Sequence, residues 1–385
     1  MKENKVKTAL VTWFHYKNYG TALQAFALQQ FIMRLGYDNE IVNYIPQKGK
    51  KESPHGFILS LFYRLKRKYH YIQLTPFLNY KAERKFDTFV SDKLLKTPIF
   101  VKNDLPLIND KYTLFICGSD QIWSPANFDP VFFLSFVSDE RKLISYAPSI
   151  GTPVFDDEKI KNDMMNLIKR FNSISVREWS GKDIIQEYCS ISPKVVLDPT
   201  LLFDSNFWGN CFDDTEIRNR YRNQKYILCY FLGDYRRYER YVKFIQKKLG
   251  YTVVTIPIYK QQYSKKERVL QGVGPEEFVS LVKNASYICT DSFHGVAFAV
   301  NFSKEFTAFK RFKDGAKNSQ NTRIYSLLNS LELQNRISSN NLPDYLPDEK
   351  IDYGFVQEKL LNLRKKSSEY LEKSMKKQLA LLNKE

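Results

Sequence analysis

Short apolar runs that end in polar loops and lead into helix-spaced apolar residues recur along this chain, and that alternation predicts β/α units. Ala9-Leu10-Val11-Thr12-Trp13 reads as a strand, and a polar loop closing on Asn18-Tyr19-Gly20-Thr21 leads into a helix from Ala22 to Leu35 that Gly36 stops. Glu40 to Tyr44 supplies the next strand, and Tyr112 to Cys117, Leu143 to Ala147 and Ser173 to Val176 repeat the theme. The pattern weakens from Asp204 to Asn223 and then restarts. Strands are expected at Tyr226 to Leu232, Thr252 to Ile256, around Tyr287 and at Phe306 to Phe309, with helices from Tyr238 to Leu249 and after Pro275-Glu276-Glu277. Parallel strands need crossover connections, so the alternation predicts parallel sheets. The expected fold class is α/β, with two Rossmann-like domains facing a central cleft and a C-terminal helix. The expected divisions are 1–204, a connection at 205–224, a second Rossmann-like domain at 225–345, and a helical extension at 346–385 that lies on the surface.

Length supports the two-domain reading, because 385 residues exceed what one core usually serves. With 25 tyrosines and 29 phenylalanines the chain is rich enough in aromatics to build cores and to line carbohydrate or lipid surfaces. Five scattered cysteines form no paired spacing and no zinc site, and neither a signal peptide nor a membrane-length apolar run is present, which together suggest a reducing cytosol. The formal charge of +17 attracts polyanions, anionic lipid head groups or acidic small substrates. Part of it sits in Lys48 to Lys51 and in Arg64-Leu65-Lys66-Arg67-Lys68, directly after the apolar Phe57 to Phe62. Such a stretch suits either a peripheral contact with an anionic membrane or an ordinary solvated helix face.

The strand-to-helix junction Thr290-Asp291-Ser292-Phe293-His294-Gly295 packs two hydroxyls, a carboxylate and an imidazole between segments that read as buried. His294 is therefore a candidate acid or base, or else a half-buried structural histidine. Other strand-end loops carry candidates as well. Asn18, Tyr19, Gly20 and Thr21 open a helix whose N–H groups either meet an anion or sugar oxygen or are simply capped. Ser119, Asp120, Gln121 and Trp123 offer hydrogen bonds and stacking for a sugar ring, unless Trp123 belongs to the core. Arg177 ends a strand as a charged fork for a carboxylate or phosphate, or pairs with Glu178 at the surface. Lys310 and Arg311 add positive charge after the last strand, and Lys313 to Asn321, rich in Gly, Lys and Asn, reads as a mobile loop near the site.

Read together and in order, these loops resemble the polysaccharide pyruvyl transferase family. The pieces that carry the resemblance are Asn18-Tyr19-Gly20-Thr21 with Leu23-Gln24, Gly118 to Trp123, Ser145-Tyr146-Ala147 with Ser149 and Gly151, Ser175 to Glu178, Leu197-Asp198-Pro199-Thr200, Gly274 to Phe278, and Thr290 to Gly295. The resemblance spans roughly residues 6 to 331. It implies a GT-B-like fold, phosphoenolpyruvate as donor and co-substrate with no cofactor and no metal, and a cell-surface glycan or lipid-linked oligosaccharide as acceptor. It makes His294 the catalytic histidine and Arg177 the arginine that grips the donor. Better-studied members carry an arginine two residues before the histidine, where this chain has Ser292, and Lys310 or Arg311 is the expected substitute.

On this reading Ser292, Phe293 and Gly295 join Arg177, Lys310 and Arg311 around the donor. Asp291 orients the imidazole, acts as a base on the acceptor or caps the following helix, while Asn18 to Thr21 with Ser119, Asp120, Gln121 and Trp123 hold the acceptor. The expected location is cytoplasmic, at or near the inner face of the membrane. The first alternative is a GT-B glycosyltransferase with a nucleotide-sugar donor, for which Glu276 or Glu277 would hold the ribose. A nucleic-acid partner is disfavoured, because the polar residues gather at strand ends and no helix-turn-helix, zinc or RNP-type signature is present.

Overall fold

A computed structural model describes residues 5–46, 76–152, 154–212, 214–221, 223–258, 268–313, 316, 319–338 and 349–384. The basic segments at 48–51 and 57–68 lie outside the described residues. The first sheet contains β1 (Lys7–Val11), β2 (Asp38–Tyr44), β3 (Lys96–Phe100), β4 (Leu114–Cys117) and β5 (Leu143–Ser145), all parallel, in the order β3-β2-β1-β4-β5. A two-stranded parallel sheet, β6 (Ser175–Val176) with β7 (Lys194–Val195), follows it.

The second sheet repeats the first in both order and polarity. Its strands are β8 (Tyr226–Tyr230), β9 (Thr252–Ile256), β10 (Arg268–Val269), β11 (Tyr287–Thr290) and β12 (Glu305–Ala308), arranged β10-β9-β8-β11-β12. In each sheet the chain reverses its direction of winding between the first and fourth strands, β1/β4 and β8/β11. Loops leaving the carboxyl ends of such a strand pair splay apart and form a crevice.

Two helices set the relation between the halves. Helix α1 (Tyr19–Arg34) is buried on most sides, and its first residue crosses to the other half. The Tyr19 ring stacks on Phe278 at 4.6 Å, packs edge-on against Tyr230, and donates its hydroxyl to the Val273 carbonyl. One hydrophobic cluster therefore runs from Leu10 and Leu23 through Phe278 to Val296 and Phe298.

The segment read as a plain connection instead holds two short helices, Ser205–Cys211 and Thr215–Tyr221, and Trp208 of the first packs edge-on against Phe298. The C-terminal helix Tyr353–Leu382 is more than a surface extension. Arg364 donates to the Leu201 carbonyl and the Asn301 side chain, Ser367 accepts from the Leu197 N–H, and Tyr370 donates to the Ser145 carbonyl, so this helix ties both halves together. Among the described residues no helix is long and apolar enough to cross a membrane.

Candidate active site

The loops after β1 and β4 face those after β8, β11 and β12 across a cleft of about 580 Å³. In the first half, buried Gln24 of α1 locks the loops. Its amide donates to the Trp13 carbonyl at 2.9 Å, and its oxygen accepts from the Ser119 N–H at 3.2 Å. Gly118 makes the turn possible, because at φ 143° a Cβ would lie 1.8 Å from the Tyr146 carbonyl oxygen. Asp120 follows at φ 64°, a left-handed conformation that Asp tolerates better than most residues, and its carboxylate accepts from the Thr21 hydroxyl at 2.6 Å. The Asn18 side chain caps α1 by accepting from Gly20 N and Thr21 N, so those two N–H groups are engaged.

The second half is locked by Asp291, which neither caps the helix nor orients His294. Its carboxylate accepts from the N–H groups of Leu232 and Gly233 at 2.6 and 2.8 Å and from the Tyr238 hydroxyl at 3.1 Å. Gly233 leaves room for that bond, since a Cβ there would sit 2.7 Å from the carboxylate. Burial pushes the Asp291 carboxyl above its usual value despite Arg311 and the two N–H donors. Helix α9 (Phe293–Asn301) is capped by Ser292, whose hydroxyl accepts from Gly295 N at 3.3 Å. Gly295 lets the first turn of α9 settle on β11, for a Cβ would come within 2.4 Å of the Thr290 hydroxyl.

His294 lies where the two helix starts meet. Its Nε2 is 3.4 Å from Asp198 Oδ2, and the other edge of the ring lies over Gly20, where a Cβ would stand 1.8 Å from Nδ1. The same Asp198 oxygen takes Nη1 of Arg177 at 2.7 Å, while its other oxygen accepts from Thr200 N and the Thr200 hydroxyl. Burial alone would raise the Asp198 carboxyl. His294, Arg177 and the Thr200 N–H outweigh it and hold the group well below the usual carboxylate range. A charged, buried Asp198 thus joins a guanidinium and an imidazole from opposite halves.

Arg177 is placed differently from expectation. It is buried together with Glu178 rather than forming a surface pair, and it does not line the main cleft. Besides Asp198 it has Asp120 at 3.8 Å and Glu178 at 3.9 Å, and its Cζ lies 4.6 Å over the Phe293 ring. Burial works against its charge, but the three carboxylates raise its pKa above the ordinary guanidinium value. Glu178 is fixed in turn by the Ser149 hydroxyl and Gly151 N–H, which places it in the layer behind the cleft.

Of the other predicted site residues, Asn18, Thr21, Asp120, Gln121, Ser292, Phe293, His294 and Arg311 line the cleft. Lys310 is not among the lining residues. Ser119 sits one layer back, donating to the Ala147 carbonyl. Trp123 is fully buried, stacked on Phe133 at 5.2 Å with its N–H on the Phe132 carbonyl, so it is a core residue and cannot meet a sugar ring. Tyr19, as described above, is part of the seam between the halves. Glu276 and Glu277 lie elsewhere, bordering a surface groove and paired with Lys93 and Lys85.

Contributors that escaped the sequence reading include Asp198, which lies in a matched motif but carries no role there; Arg323; and the aromatic pair Trp13 and Tyr16, which meet edge-on at 5.1 Å on the first wall. Among the described residues no three His, Cys, Asp or Glu side chains are grouped to hold a metal ion.

A family model described as Polysaccharide pyruvyl transferase matches residues 18–311, a span that contains Arg177, Asp198, His294 and Arg311. No curated protein matches the sequence. Similar solved structures include a glycosyltransferase from Rickettsia africae ESF-5, with 11% identity, TM-score 0.53 and coverage of 99% of this chain and 100% of that one. Another is the UDP-GlcNAc 2-epimerase from Neisseria meningitidis bound to UDP-GlcNAc, with 11% identity, TM-score 0.51 and coverage of 95% and 99%. At such identities the likeness is one of fold, a GT-B-like pair of Rossmann-like domains.

Proposed function

We propose that this chain, which belongs to the polysaccharide pyruvyl transferase family, bridges two hydroxyls of a glycan sugar as a pyruvate ketal, using phosphoenolpyruvate and releasing phosphate. The observation that carries this reading is the buried imidazole of His294 at the seam of the cleft, linked through Asp198 to Arg177. No cofactor or metal enters the scheme. The acceptor is a cell-surface polysaccharide or its lipid-linked precursor, met on the cytoplasmic side. A peripheral contact with anionic lipid would fit a lipid-linked acceptor.

The chemistry needs a proton on the methylene carbon of the donor, which becomes a methyl group, and attack by one sugar oxygen on the adjacent carbon. Phosphate then leaves as the second sugar oxygen bonds to the same carbon. Of the two hydroxyl protons, one replaces the proton given to the methyl group and the other leaves on phosphate, so no water or redox partner is consumed. With Nε2 turned to Asp198, Nδ1 of His294 is the nitrogen left to exchange these protons. Asp198 is a positioning residue that holds the ring electrostatically, through a 3.4 Å contact with Nε2.

The two walls suit different partners. The first offers Asp120, Gln121 and Asn18 for hydroxyls and the Trp13–Tyr16 corner for the apolar face of a sugar ring. The second carries the guanidinium groups and the positive end of α9. Incubating the protein with phosphoenolpyruvate and a lipid-linked oligosaccharide pool should release phosphate only when both are present. Transfer from a nucleotide sugar with phosphoenolpyruvate untouched would replace this reading with glycosyl transfer.

A further inference from the structure

Three guanidinium groups, Arg177, Arg311 and Arg323, gather behind and along the second wall, and their charges are balanced unequally. Arg177 has Asp198 at 2.7 Å with Asp120 and Glu178 nearby, so its charge is balanced although its buried Nε and Nη2 make no hydrogen bond among the described residues. Arg311 borders the cleft, and its buried Nε has no hydrogen-bond partner among the described residues. Asp291 interacts with it electrostatically, but that carboxylate is already held by two N–H groups and a tyrosine hydroxyl. Arg323, in the first turn of the helix Thr322–Ser330, also borders the cleft although it is almost wholly buried. Among the described residues it donates only to neutral oxygens of Gln320, at 2.9 Å to the side chain and 3.4 Å to the carbonyl. Burial, with Arg177 and Arg311 close by, pulls its guanidinium down to about 9, against the opposing pull of Asp120 and Glu178. At neutral pH it remains charged, in a place where a negative partner would relieve the repulsion.

We propose that Arg311 and Arg323 form the anion subsite of the cleft, taking the phosphate or carboxylate of a small dianion beside Ser292 and the start of α9. The inference rests on the pyruvyl-transfer reading, under which the dianion is phosphoenolpyruvate. It moves the grip on the donor away from Arg177, which the carboxylates and the Phe293 ring hold behind the cleft wall. Ser292 is short and serves as a cap, so it supplies no charge. Arg323 lies beyond residue 311, where the family match ends, and belongs to none of the motifs that carry the resemblance. Each guanidinium presents a planar fork of donors suited to a phosphate or carboxylate edge.

The test is titration calorimetry of the full chain with inorganic phosphate and with phosphoenolpyruvate. Arg311→Gln and Arg323→Gln should each weaken both ligands by roughly tenfold or more, and Arg323→Lys should recover part of the loss. Arg236→Gln, which removes an exposed guanidinium paired with Asp234, should change nothing. Thermal melts establish which variants fold, and if Arg323→Gln does not, Arg311→Gln decides alone. Unchanged affinity in a folded Arg311→Gln protein overturns the subsite. The two readings separate cleanly: wild-type protein that binds phosphate through these arginines but never turns over phosphoenolpyruvate refutes pyruvyl transfer and keeps the subsite. Normal turnover with an unaltered KM for phosphoenolpyruvate in both Gln variants does the reverse.

Discussion

His294→Ala is expected to lower phosphate release from phosphoenolpyruvate, in the presence of acceptor, by roughly 10²–10⁴-fold, the range that positioned proton transfer commonly contributes. The fold should survive. Arg177, Thr200 N and the Thr200 hydroxyl still satisfy Asp198 when the imidazole is gone, so no buried carboxylate is left bare. A far-UV circular dichroism spectrum matching wild type, beside lost turnover, is the expected pair of results. Full turnover in the variant would mean that the imidazole is only a packing element between the halves.

Gly20→Ala is expected to be nearly as damaging, although it adds one methyl group far from any reacting atom in sequence. The added carbon would lie 1.8, 2.3 and 2.4 Å from Nδ1, Cγ and Cε1 of His294, closer than atoms approach. Either the ring leaves Asp198 or the two helix starts part. A displacement of about 1 Å at a catalytic group can cost on the order of 10² in rate, and overpacking of this kind typically costs ~1–3 kcal/mol of stability. A double-mutant comparison isolates the cause. Once His294 is alanine, Gly20→Ala should lower neither the rate nor the melting temperature further. Losses that add in full would show that the glycine matters for another reason, such as the start of α1.

Much of this architecture was legible in the chain. The buried strands of both halves are runs of β-branched and aromatic residues between polar loops, and Thr252–Ile256 lies where its TVVTI pattern puts it. Two of the four edge strands of the five-stranded sheets, β3 and β10, gave no such signal. β3 carries Lys96 and Pro98 and is half exposed, and β10 has only two residues. The loops at the strand ends were the right ones to inspect, because a parallel sheet can present side chains to a crevice only there.

Individual side chains were less predictable, since a polar or aromatic residue just past a glycine turn can face either way. Trp123 and Tyr19 turn inward onto Phe133 and Phe278. Asp291, the carboxylate nearest His294 in sequence, binds the loop after β8, whereas Asp198, ninety-six positions away, reaches the imidazole. Nothing in a linear pattern announces a contact made between two sheets. Arg323 hides for a related reason, because it begins an ordinary amphipathic helix and becomes notable only through its burial beside two other guanidinium groups.

Ketal formation from phosphoenolpyruvate is the step that sets the proposed function apart from glycosyl transfer. Its most direct test is carbon NMR of the glycan recovered after incubation with phosphoenolpyruvate labelled at its central carbon. A labelled quaternary ketal carbon bonded to two sugar oxygens, a new methyl group, and one phosphate released per ketal are expected. An unlabelled glycan extended by a sugar from a nucleotide donor, with the labelled phosphoenolpyruvate recovered intact, would contradict ketal formation.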